Sequence, residues 1–257
     1  MPYISYSEFK NWSECTWKHK LLYIDKIKLD SGNEYTAFGT AMHDTIEQML
    51  FSNISDYVEQ FNIKFTEVLA TVKIVEDTKL ATEMRQQAPS ILAEVIPSMN
   101  KYFEDKGGWV AVKAEEELFE AINEIQIKDY SFKGFIDLVI KDGQGNIHII
   151  DWKTCSWGWD AEKKANNLFG RQLVFYKHYY AQKHSINPRT ILTHFGLLKR
   201  TAKKDKVELF KVTSGEIKTR NSLDALDKAL YNITNNKSFK NRLACTYCPF
   251  KGTEYCT

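Results

Sequence analysis

Residues 131–154 of the chain, SFKGFIDLVIKDGQGNIHIIDWKT, decide the fold that we expect. Two largely apolar runs, residues 135–140 and 147–150, flank a segment rich in glycine, aspartate and asparagine. Runs of this length around such a segment are typical of a β-hairpin with a loop of several residues. The stretch therefore predicts two antiparallel strands that are joined by a loop centred near Gly143 and Gln144.

The hairpin carries two aspartates and one lysine at its open end. Asp137 and Asp151 lie at similar distances from the loop, so antiparallel pairing sets them opposite each other. Lys153 shares a face with Asp151, because side chains alternate along a strand. A solvated strand edge would also explain these charges. Both acids interrupt apolar runs, however, where a charge is costly unless a partner or a metal compensates it. Carboxylates of this kind suit Mg²⁺ or Mn²⁺, which can bridge to a phosphate oxygen.

The arrangement of Asp137 and Asp151-Trp152-Lys153 resembles the core motif of the PD-(D/E)XK nuclease superfamily. Residues 134–137, Gly-Phe-Ile-Asp, and residues 151–154, Asp-Trp-Lys-Thr, resemble its RecB-type branch in particular. The resemblance implies an α/β fold with a restriction-endonuclease-like core, in which helices flank a central mixed sheet behind an N-terminal helical cap. It also implies a metal-dependent deoxyribonuclease, an exonuclease acting on DNA ends or single strands, with Asp137 and Asp151 as metal ligands.

A helical motif precedes the hairpin. Residues 39–50 have apolar positions at a helical period, and His43 and Glu47 share one face because they lie four residues apart. A single histidine on a helix is more often structural than functional. The pattern Gly39-x-x-x-His43 nevertheless resembles the motif that precedes the core of RecB-type nucleases. This resemblance implies that His43 is a metal ligand, together with the backbone carbonyl of Trp152, while Glu47 either orients the site or contacts water.

A second helical motif follows the hairpin. Gln172 and Tyr176 resemble the Gln-x-x-x-Tyr motif that comes after the Asp-x-Lys strand in RecB-type nucleases. The order of the four motifs along the chain carries more weight than any one of them. The resemblance implies that Lys153 positions or deprotonates the attacking water, and that Gln172 and Tyr176 orient the DNA or the lysine.

The C-terminal tail contains Cys245, Cys248 and Cys256. Three clustered cysteines in an intracellular chain favour metal ligation over disulfides, and a tetrahedral site needs a fourth ligand. The layout resembles that of RecB-like nucleases of the AddB and CRISPR-associated kinds, which implies that Cys15 completes the set and that the four staple the chain ends with a [4Fe-4S] cluster. Zinc is the alternative, and the spacing alone favours it. Cys155 is expected to be a small buried residue.

Composition excludes several classes of protein. The 257 residues are 43% hydrophobic and 26% charged, as is ordinary for a globular protein with a sizeable core. The sequence shows no long apolar run and no basic leader, so we expect a cytoplasmic protein that does not enter membranes. Because the net charge is only +2, contacts with DNA must come from local basic residues. The candidates are Arg171 and part of a basic loop at 199–206, namely Lys199, Arg200, Lys203 and Lys204.

We expect one domain over residues 1–257. Residues 1–106 are predicted to be mostly helical, 107–213 to form the sheet core, and 214–257 to contain a last helix and the cysteine tail. The first part should begin with a helix over residues 3–28, started by Ser5 or Ser7. Two prolines, Pro89 and Pro97, are expected to break or kink the helices of residues 55–106.

The remaining pattern predicts strands at residues 109–119, 122–127, 190–198 and 207–212. Helices are predicted at residues 161–184 and 214–232, the second capped by Ser214. Residues 115–117 are all glutamates. One of them is a candidate for the acid that the family often carries on its first core strand, and a solvated acidic edge is the alternative.

Two alternatives to an active nuclease stay open. An inactive module of the same fold would bind DNA without cutting it, although such a copy would usually have lost the Asp or the Lys. A structural protein stapled by zinc is the other. The sequence contains no helicase motif, so a nuclease of this kind would act alone or beside replication, recombination or repair partners, such as a helicase or a single-strand-binding protein.

Overall fold

A computed structural model describes residues 1–27, 32–52, 54–72, 78–123, 127 and 129–256. The described residues form a sheet of six strands. These are β1 (Tyr3–Ser5), β2 (Trp109–Ala121), β3 (Ser131–Asp142), β4 (Ile147–Cys155), β5 (Ile191–Lys199) and β6 (Val207–Val212). Strands β2 and β3, β3 and β4, and β5 and β6 pair antiparallel, whereas β4 with β5 and β1 with β3 pair parallel. The sheet is therefore mixed, as the resemblance implied.

The β3–β4 hairpin has the predicted register. Its ladder runs from the pair Lys141 and Ile147 to the pair Leu138 and Ile150, so Asp137 and Asp151 lie one step beyond its last pair. Strand β2 pairs with β3 along almost all of its length, so β1 and β4 share the other edge of β3. On that edge, residues 134–137 lie between the two partner strands and pair with neither. Both aspartates lie at this gap.

Helices cover both faces of the sheet. They are α1 (Tyr6–Glu14), α2 (Thr16–His19), α3 (Glu34–Phe51), α4 (Tyr57–Thr71), α5 (Lys79–Phe103), α6 (Ala161–Ala165), α7 (Asn167–His184) and α8 (Glu216–Thr234). A π-helical turn, Lys20–Ile24, follows α2, and 3-10 turns occur at Glu104–Lys106, Pro188–Thr190 and Arg242–Ala244. None of the described helices has the length and apolarity needed to cross a membrane.

Two apolar cores lie on opposite faces of the sheet, since side chains alternate along each strand. Helices α1, α7 and α8 cover the first core, in which the rings of Phe132 and Tyr179 stack at 4.5 Å between centroids. Helices α3, α4 and α5 cover the second, which contains Phe38, Phe61 and Trp152. Each fully buried side chain of this size contributes about 1.5 to 3 kcal/mol. The expected architecture, a central mixed sheet flanked by helices, is confirmed.

The N-terminal segment is not one continuous helix. Residues Tyr3–Ser5 form β1, because parallel pairing with Ser131–Lys133 satisfies their backbone groups. Helix α1 follows, and the side chain of Ser5 accepts a hydrogen bond of 3.1 Å from the backbone N–H of Glu8, as the capping signal predicted. The extended backbone of Cys15 separates α1 from α2. Lys28, the last residue of the predicted helix, lies outside the described residues.

Two helix predictions after the hairpin need correction. The helix predicted over residues 161–184 is divided at Asn166, whose extended backbone ends α6 and whose side chain accepts a hydrogen bond from the N–H of Leu168 at the start of α7. Ser214 does not cap α8, because its hydroxyl is hydrogen-bonded to that of Thr193 at 2.9 Å. The helix begins two residues later, after Gly215.

Two other predictions have mixed outcomes. Helix α5 continues through Pro89 and Pro97, so neither proline ends it. The strands predicted at 109–119 and 207–212 are confirmed as β2 and β6. The strand predicted at 122–127 lies partly outside the described residues, as do residues 73–77 of the predicted helical region.

Candidate active site and cysteine cluster

The two aspartates meet where β3 and β4 separate. Oδ2 of Asp137 accepts a hydrogen bond of 2.7 Å from the backbone N–H of Trp152, which follows Asp151. This bond takes the place of a further ladder bond and ties the carboxylate to the opposite strand. The side chain of Asp151 is 1% exposed and that of Asp137 is 14% exposed. A solvated strand edge is therefore the wrong description of this pair.

A lysine and a histidine complete the group. Nζ of Lys153 lies 2.5 Å from Oδ2 of Asp151. His43 comes from α3, and its Nδ1 lies 3.5 Å from Oδ2 of Asp137. His43 also lines one small pocket together with Asp137 and Trp152. Four side chains predicted to be catalytic or metal-binding therefore lie together. They are His43 of α3, Asp137 of β3, and Asp151 and Lys153 of β4.

The indole of Trp152 anchors this part of β4. Its ring is 1% exposed and packs in the second core, while its neighbours in sequence, Asp151 and Lys153, point to the opposite face. Trp152 pairs with Gly196 of β5, and a Cβ atom on Gly196 would lie only 2.2 Å from the indole ring. The glycine is therefore needed for the indole to lie flat on β5.

Gln172 and Tyr176 approach the site from α7. The Gln172 side-chain amide donates a hydrogen bond of 3.0 Å to the Tyr176 hydroxyl. Burial, and next the charge of Asp151, raises the pKa of Tyr176 well above its ordinary value. The ring lies against Gly134, where a Cβ atom would come within 2.8 Å of it. This contact explains the glycine in the Gly134-x-x-Asp137 motif.

Of the three glutamates in β2, Glu115 faces the site. In the β2–β3 ladder, Ala114 pairs with Leu138 and Glu116 pairs with Ile136, so Glu115 lies opposite Asp137. Its φ of 45° is unusual for a residue other than glycine and marks a local distortion of the strand. Glu115 lines one small pocket together with His43, Glu47 and Asp137. The next residue, Glu116, instead forms ion pairs with Lys183 and His184.

The carboxylates of the site are held in an environment that disfavours their charge. Burial raises the pKa of Asp137 and of Asp151 to about 6, although Lys153 opposes both shifts. Burial, followed by the charge of Asp137, raises the pKa of Glu115 to about 7. Carboxylates that repel one another, and that a bound cation would stabilise, are typical of functional sites.

The basic groups of the site have opposite shifts. Burial lowers the pKa of His43 to about 4, so its ring is neutral at physiological pH, as a metal ligand must be. Burial would also lower the pKa of Lys153, but the charges of Asp151 and Asp137 outweigh this effect and raise it. Lys153 therefore stays protonated.

The donor set fits a hard divalent cation. Oδ2 of Asp151 is buried and accepts no hydrogen bond of ordinary geometry, although it contacts Lys153. Carboxylate oxygens with one imidazole are ligands that Mg²⁺ or Mn²⁺ accept. Within the described part of the chain, no three His, Cys, Asp or Glu side chains are already arranged around one point as metal ligands. Binding of a metal by the carboxylates or by cysteines would therefore require side-chain movements.

The predicted DNA-contacting residues do not form one surface. Arg200 is buried, donates hydrogen bonds to Gln87 and Ser156, and stacks on Tyr35, so it stabilises the fold and is not a surface contact. Lys199 is largely covered and forms an ion pair with Glu208 at 3.3 Å. Of the loop residues, Lys203 and Lys204 are exposed.

Arg171 is half-buried beside the site. Its guanidinium lies over the ring of Phe9 at 5.8 Å and is close enough to lower the pKa of Tyr6. Asp151 acts on the same tyrosine in the opposite direction. The charges of Arg171 and Asp151 thus both act on Tyr6 of α1.

The four predicted cluster cysteines line one pocket. Cys15, Cys245, Cys248 and Cys256 border it together with Phe250, and all four are free thiols. Backbone contacts hold the tail against α1 and α2. Asn241 donates its N–H to Sγ of Cys15 at 3.3 Å, and the Trp17 indole N–H donates to the carbonyl of Tyr255 at 3.1 Å. These contacts place the tail against the N-terminal helices.

Cys155 lies apart from these four. It is the last residue of β4 and is half-buried, which is less than the sequence predicted. It packs against the first core, and burial raises the pKa of its thiol.

Sequence patterns missed several features that the site depends on. Strand β1 was hidden because it has only three residues directly before a helix cap. Glu115 could not be separated from its neighbours, since its orientation follows from an unusual φ and not from strand alternation. Gly196, inside an apolar strand, was the available signal for the close approach of the Trp152 ring.

Comparisons with known proteins agree with this geometry. The sequence model of the PD-(D/E)XK nuclease superfamily matches residues 3–256. Among curated proteins, no sequence matches this chain. The crystal structure of a protein named "Putative exonuclease", from Eubacterium rectale, is similar over 96% of this chain and 86% of its own, with a TM-score of 0.60 and 12% identity. At that identity the likeness supports the fold alone.

A second structure, that of SSO0001, covers 84% of this chain and 94% of its own at 16% identity. Its TM-score of 0.39 is too low to support an argument.

Proposed function

The chain belongs to the PD-(D/E)XK nuclease superfamily, and from this premise we propose that it is a metal-dependent deoxyribonuclease that hydrolyses phosphodiester bonds. One observation carries the proposal: His43, Asp137, Asp151 and Lys153 converge at the open end of one hairpin. An inactive DNA-binding module would gain nothing from two buried aspartates whose charge is disfavoured. Without a cation, such a pair only lowers the stability of the fold.

Asp137, Asp151 and His43, with the backbone carbonyl of Trp152, would hold one or two Mg²⁺ or Mn²⁺ ions. Glu115 is the further candidate ligand, because it lines the same pocket as His43 and Asp137. When bound, the metal supplies a polarised water and offsets the negative charge that develops on the phosphate.

The protein side chains have separate tasks in this reaction. Lys153 is protonated, so it would orient the attacking water and stabilise charge on the phosphate, and would not act as a base. Tyr176 is oriented by its hydrogen bond with Gln172, and its ring lies against Gly134, three residues before Asp137. It would position the lysine or the DNA strand as the phosphate enters the site.

We further propose that the enzyme is an exonuclease of the RecB-type branch that acts on DNA ends or on single strands. The four motifs occur in the order of that branch. The name of the Eubacterium rectale neighbour, "Putative exonuclease", supports the same activity. A cytoplasmic location, and action beside a helicase or a single-strand-binding protein, belong to this proposal as predictions from the sequence.

We also propose that Cys15, Cys245, Cys248 and Cys256 hold a [4Fe-4S] cluster, with zinc as the alternative. Their shared pocket, lined by one N-terminal and three C-terminal thiols, supports either metal. Thiolates are the ligands of both. A metal there would cross-link the two ends of the chain outside the sheet.

The proposed activity can be tested with purified protein and end-labelled DNA. Linear duplex, linear single-stranded and closed circular DNA would each be incubated with Mg²⁺, with Mn²⁺ and with a chelator. We expect metal-dependent shortening of the linear substrates while the closed circles stay intact. Cutting of closed circles would change the assignment from exonuclease to endonuclease. If folded wild-type protein cuts none of these DNAs with either metal, the nuclease proposal is wrong.

A further inference from the structure

A pair of lysines lies over the ring of Phe169 on the α1 and α6 side of the active site. Nζ of Lys10, from α1, lies 5.2 Å from the centroid of this ring, and Nζ of Lys163, from α6, lies 5.7 Å from it. Lys163 also stacks on the indole of Trp159 at 4.8 Å. Contacts of this kind attract each cation to the rings, yet they bring two like charges to one ring.

The charge of the pair is poorly compensated. Glu14 is the acid nearest to Lys10, at 3.9 Å, and the same carboxylate lies 2.9 Å from Lys18. In the part of the chain that the structure describes, no carboxylate forms an ion pair with Lys163. Neighbouring Lys164 is different, because it is paired with Glu208. Among the described residues, the ion pairs within 4 Å thus give the two ammonium groups one carboxylate, Glu14, which also contacts Lys18.

The pair lies beside the proposed catalytic lysine. Burial lowers the pKa of Lys10, and the charges of Lys153 and Lys163 are among the further causes of this shift. Ring contacts lead from Lys163 to the site: Trp159, on which Lys163 stacks, lies 5.0 Å from the ring of Phe195, and Phe195 pairs with Asp151 in the sheet. The surface from α1 to α6 is therefore positive where it borders Lys153.

Helix α1 links the pair to the aspartates. Tyr6 lies one turn before Lys10 and donates a hydrogen bond of 2.8 Å to the carbonyl of Leu168, next to Phe169. The charge of Asp151 acts on Tyr6. One face of α1 thus contacts the start of α7 and presents Lys10 beside the Phe169 ring.

We propose that Lys10 and Lys163 together bind a backbone phosphate of the DNA strand being cut, next to the scissile phosphate. The inference rests on the proposed nuclease function and names a substrate-binding site for it. A phosphate between the two ammonium groups would relieve their repulsion, and it would guide the strand past Phe169 toward Lys153. Lysine suits this role as a point charge on a flexible chain.

The test measures binding in the absence of cleavage. Lys10→Gln, Lys163→Gln and the double variant would be made in an Asp151→Asn background. Lys106→Gln is the matched control, since Lys106 also stacks on aromatic rings, at 5.0 Å from Tyr102 and 5.4 Å from Phe103, but lies beside the turn of the hairpin. Fluorescence anisotropy of a labelled single-stranded oligonucleotide, and of the same sequence as duplex, would be followed between about 50 and 200 mM salt.

Each single variant should weaken binding by about fivefold at 0.1 M salt, because one of the two ammonium groups on the phosphate is lost. The double variant should lose the whole contact and its counterion release, so its slope of log K against log salt should fall by about 0.7 for a single strand or about 0.9 for duplex. The control should keep both quantities. Unchanged affinity and slope in Lys10→Gln or Lys163→Gln would overturn the inference, as would an equal loss in Lys106→Gln.

The same experiment separates this inference from the proposed function. If the enzyme with Asp151 cuts no DNA, the nuclease proposal fails, while the binding data still decide the lysine pair. If the enzyme is active, the same substitutions in the wild-type background should raise KM more than they lower kcat. A loss confined to kcat would contradict a role in strand binding.

Discussion

Buried aspartates lie at both ends of the β3–β4 hairpin, and their surroundings differ. At the turn, Oδ1 of Asp142 accepts hydrogen bonds from the N–H groups of Gln144 and Asn146, at 3.0 and 2.8 Å, and Oδ2 lies 2.9 Å from Nε2 of His148. Burial raises the pKa of Asp142, but hydrogen bonds from the Asn146 side-chain amide, from His148 and from the Asn146 backbone outweigh it and lower the value to about 2. At the open end, the pKa values of Asp137 and Asp151 are about 6.

The turn end is satisfied over several residues. Nδ1 of His148 lies 2.8 Å from Nε2 of His194, whose Nδ1 lies 3.2 Å from the hydroxyl of Tyr102. Each side chain in this hydrogen-bonded series has a partner within the protein. The series therefore stabilises the fold and is not arranged to bind a ligand. At the open end, Asp137 and Asp151 are also buried, but too few hydrogen-bond donors surround them to stabilise both negative charges. Burial alone therefore does not indicate a functional carboxylate. Burial without enough hydrogen-bond donors to stabilise the charge does.

The largest expected effect is on catalysis at the open end. Asp151→Asn should lower the cleavage rate by at least about a thousandfold, because one metal ligand and the partner of Lys153 are lost together. The protein should stay folded, with an unchanged or higher Tm without metal, since a disfavoured buried charge is removed. Cleavage of end-labelled DNA and a thermal melt would check both expectations.

Asp142→Asn is the matched control at the turn end. It removes a carboxylate that accepts several hydrogen bonds, so we expect a loss of stability of about 1 to 3 kcal/mol. Activity measured well below Tm should stay near that of the wild type. An active Asp151→Asn variant, or an inactive and fully folded Asp142→Asn variant, would break the comparison.

The chain ends should be independent of both regions. Cys15→Ser should bleach a brown, anaerobically purified protein and lower its Tm by about 10 to 20 °C, if the cross-link of the ends is lost. Cleavage at low temperature should persist, because the cysteine pocket contains none of the carboxylates.

Cys155→Ser is the control for this substitution and should change neither colour nor Tm by much. A colourless wild-type protein with bound zinc would replace the iron-sulfur cluster by the zinc alternative. A colour that depends on Cys155 and survives loss of Cys15 would contradict the assigned set of four.

The open end also depends on one glycine. Gly196→Ala should destabilise the protein by about 1 to 3 kcal/mol, because the added methyl overlaps the Trp152 ring and one of them must shift. Trp152 lies between Asp151 and Lys153, so activity should fall as well. Gly215→Ala, where a Cβ atom would meet nothing within 4 Å, is the control and should change little. Equal melting temperatures of the two variants would contradict this packing argument.

Local pattern was enough to predict the hairpin and its register, since turn residues and apolar runs determine both. Strand alternation also predicted that Asp137, Asp151 and Lys153 meet, whereas the place of His43 beside them was implied by the resemblance to RecB-type nucleases. What local pattern could not predict depends on contacts distant in sequence. The sequence predicted that Arg200 is a surface residue of a basic loop, but Gln87 and Tyr35, both distant in sequence, cover its side chain. The choice of Glu115 over its neighbours depended on a backbone angle, and β1 on a partner more than a hundred residues away.

The last expected effect is a pair of opposite pH dependences of stability, measured in the presence of a chelator. The folded-state pKa of Asp151, about 6, lies above its ordinary value of 3.8, so the folded state binds this proton more tightly. Its contribution to stability is therefore present below about pH 4 and lost as pH rises to about 6. Asp142 has a folded pKa of about 2, so its contribution is present above about pH 4 and lost as pH falls toward 2.

These signs can be read from differences between variants and wild type. His43, whose pKa is lowered to about 4, gives a slope of the opposite sign between about pH 4 and 6.5, and the subtraction reduces its influence. Asp151→Asn should gain stability relative to wild type as pH rises from 4 to 7, by up to about 3 kcal/mol. Asp142→Asn should lose its disadvantage as pH falls below 4. Adding Mn²⁺ should raise the wild-type Tm more at pH 8 than at pH 5.5, because protons compete with the metal for the raised carboxylates. Parallel pH profiles for the two variants would show that the two ends of the hairpin do not differ in the way that their hydrogen bonds indicate.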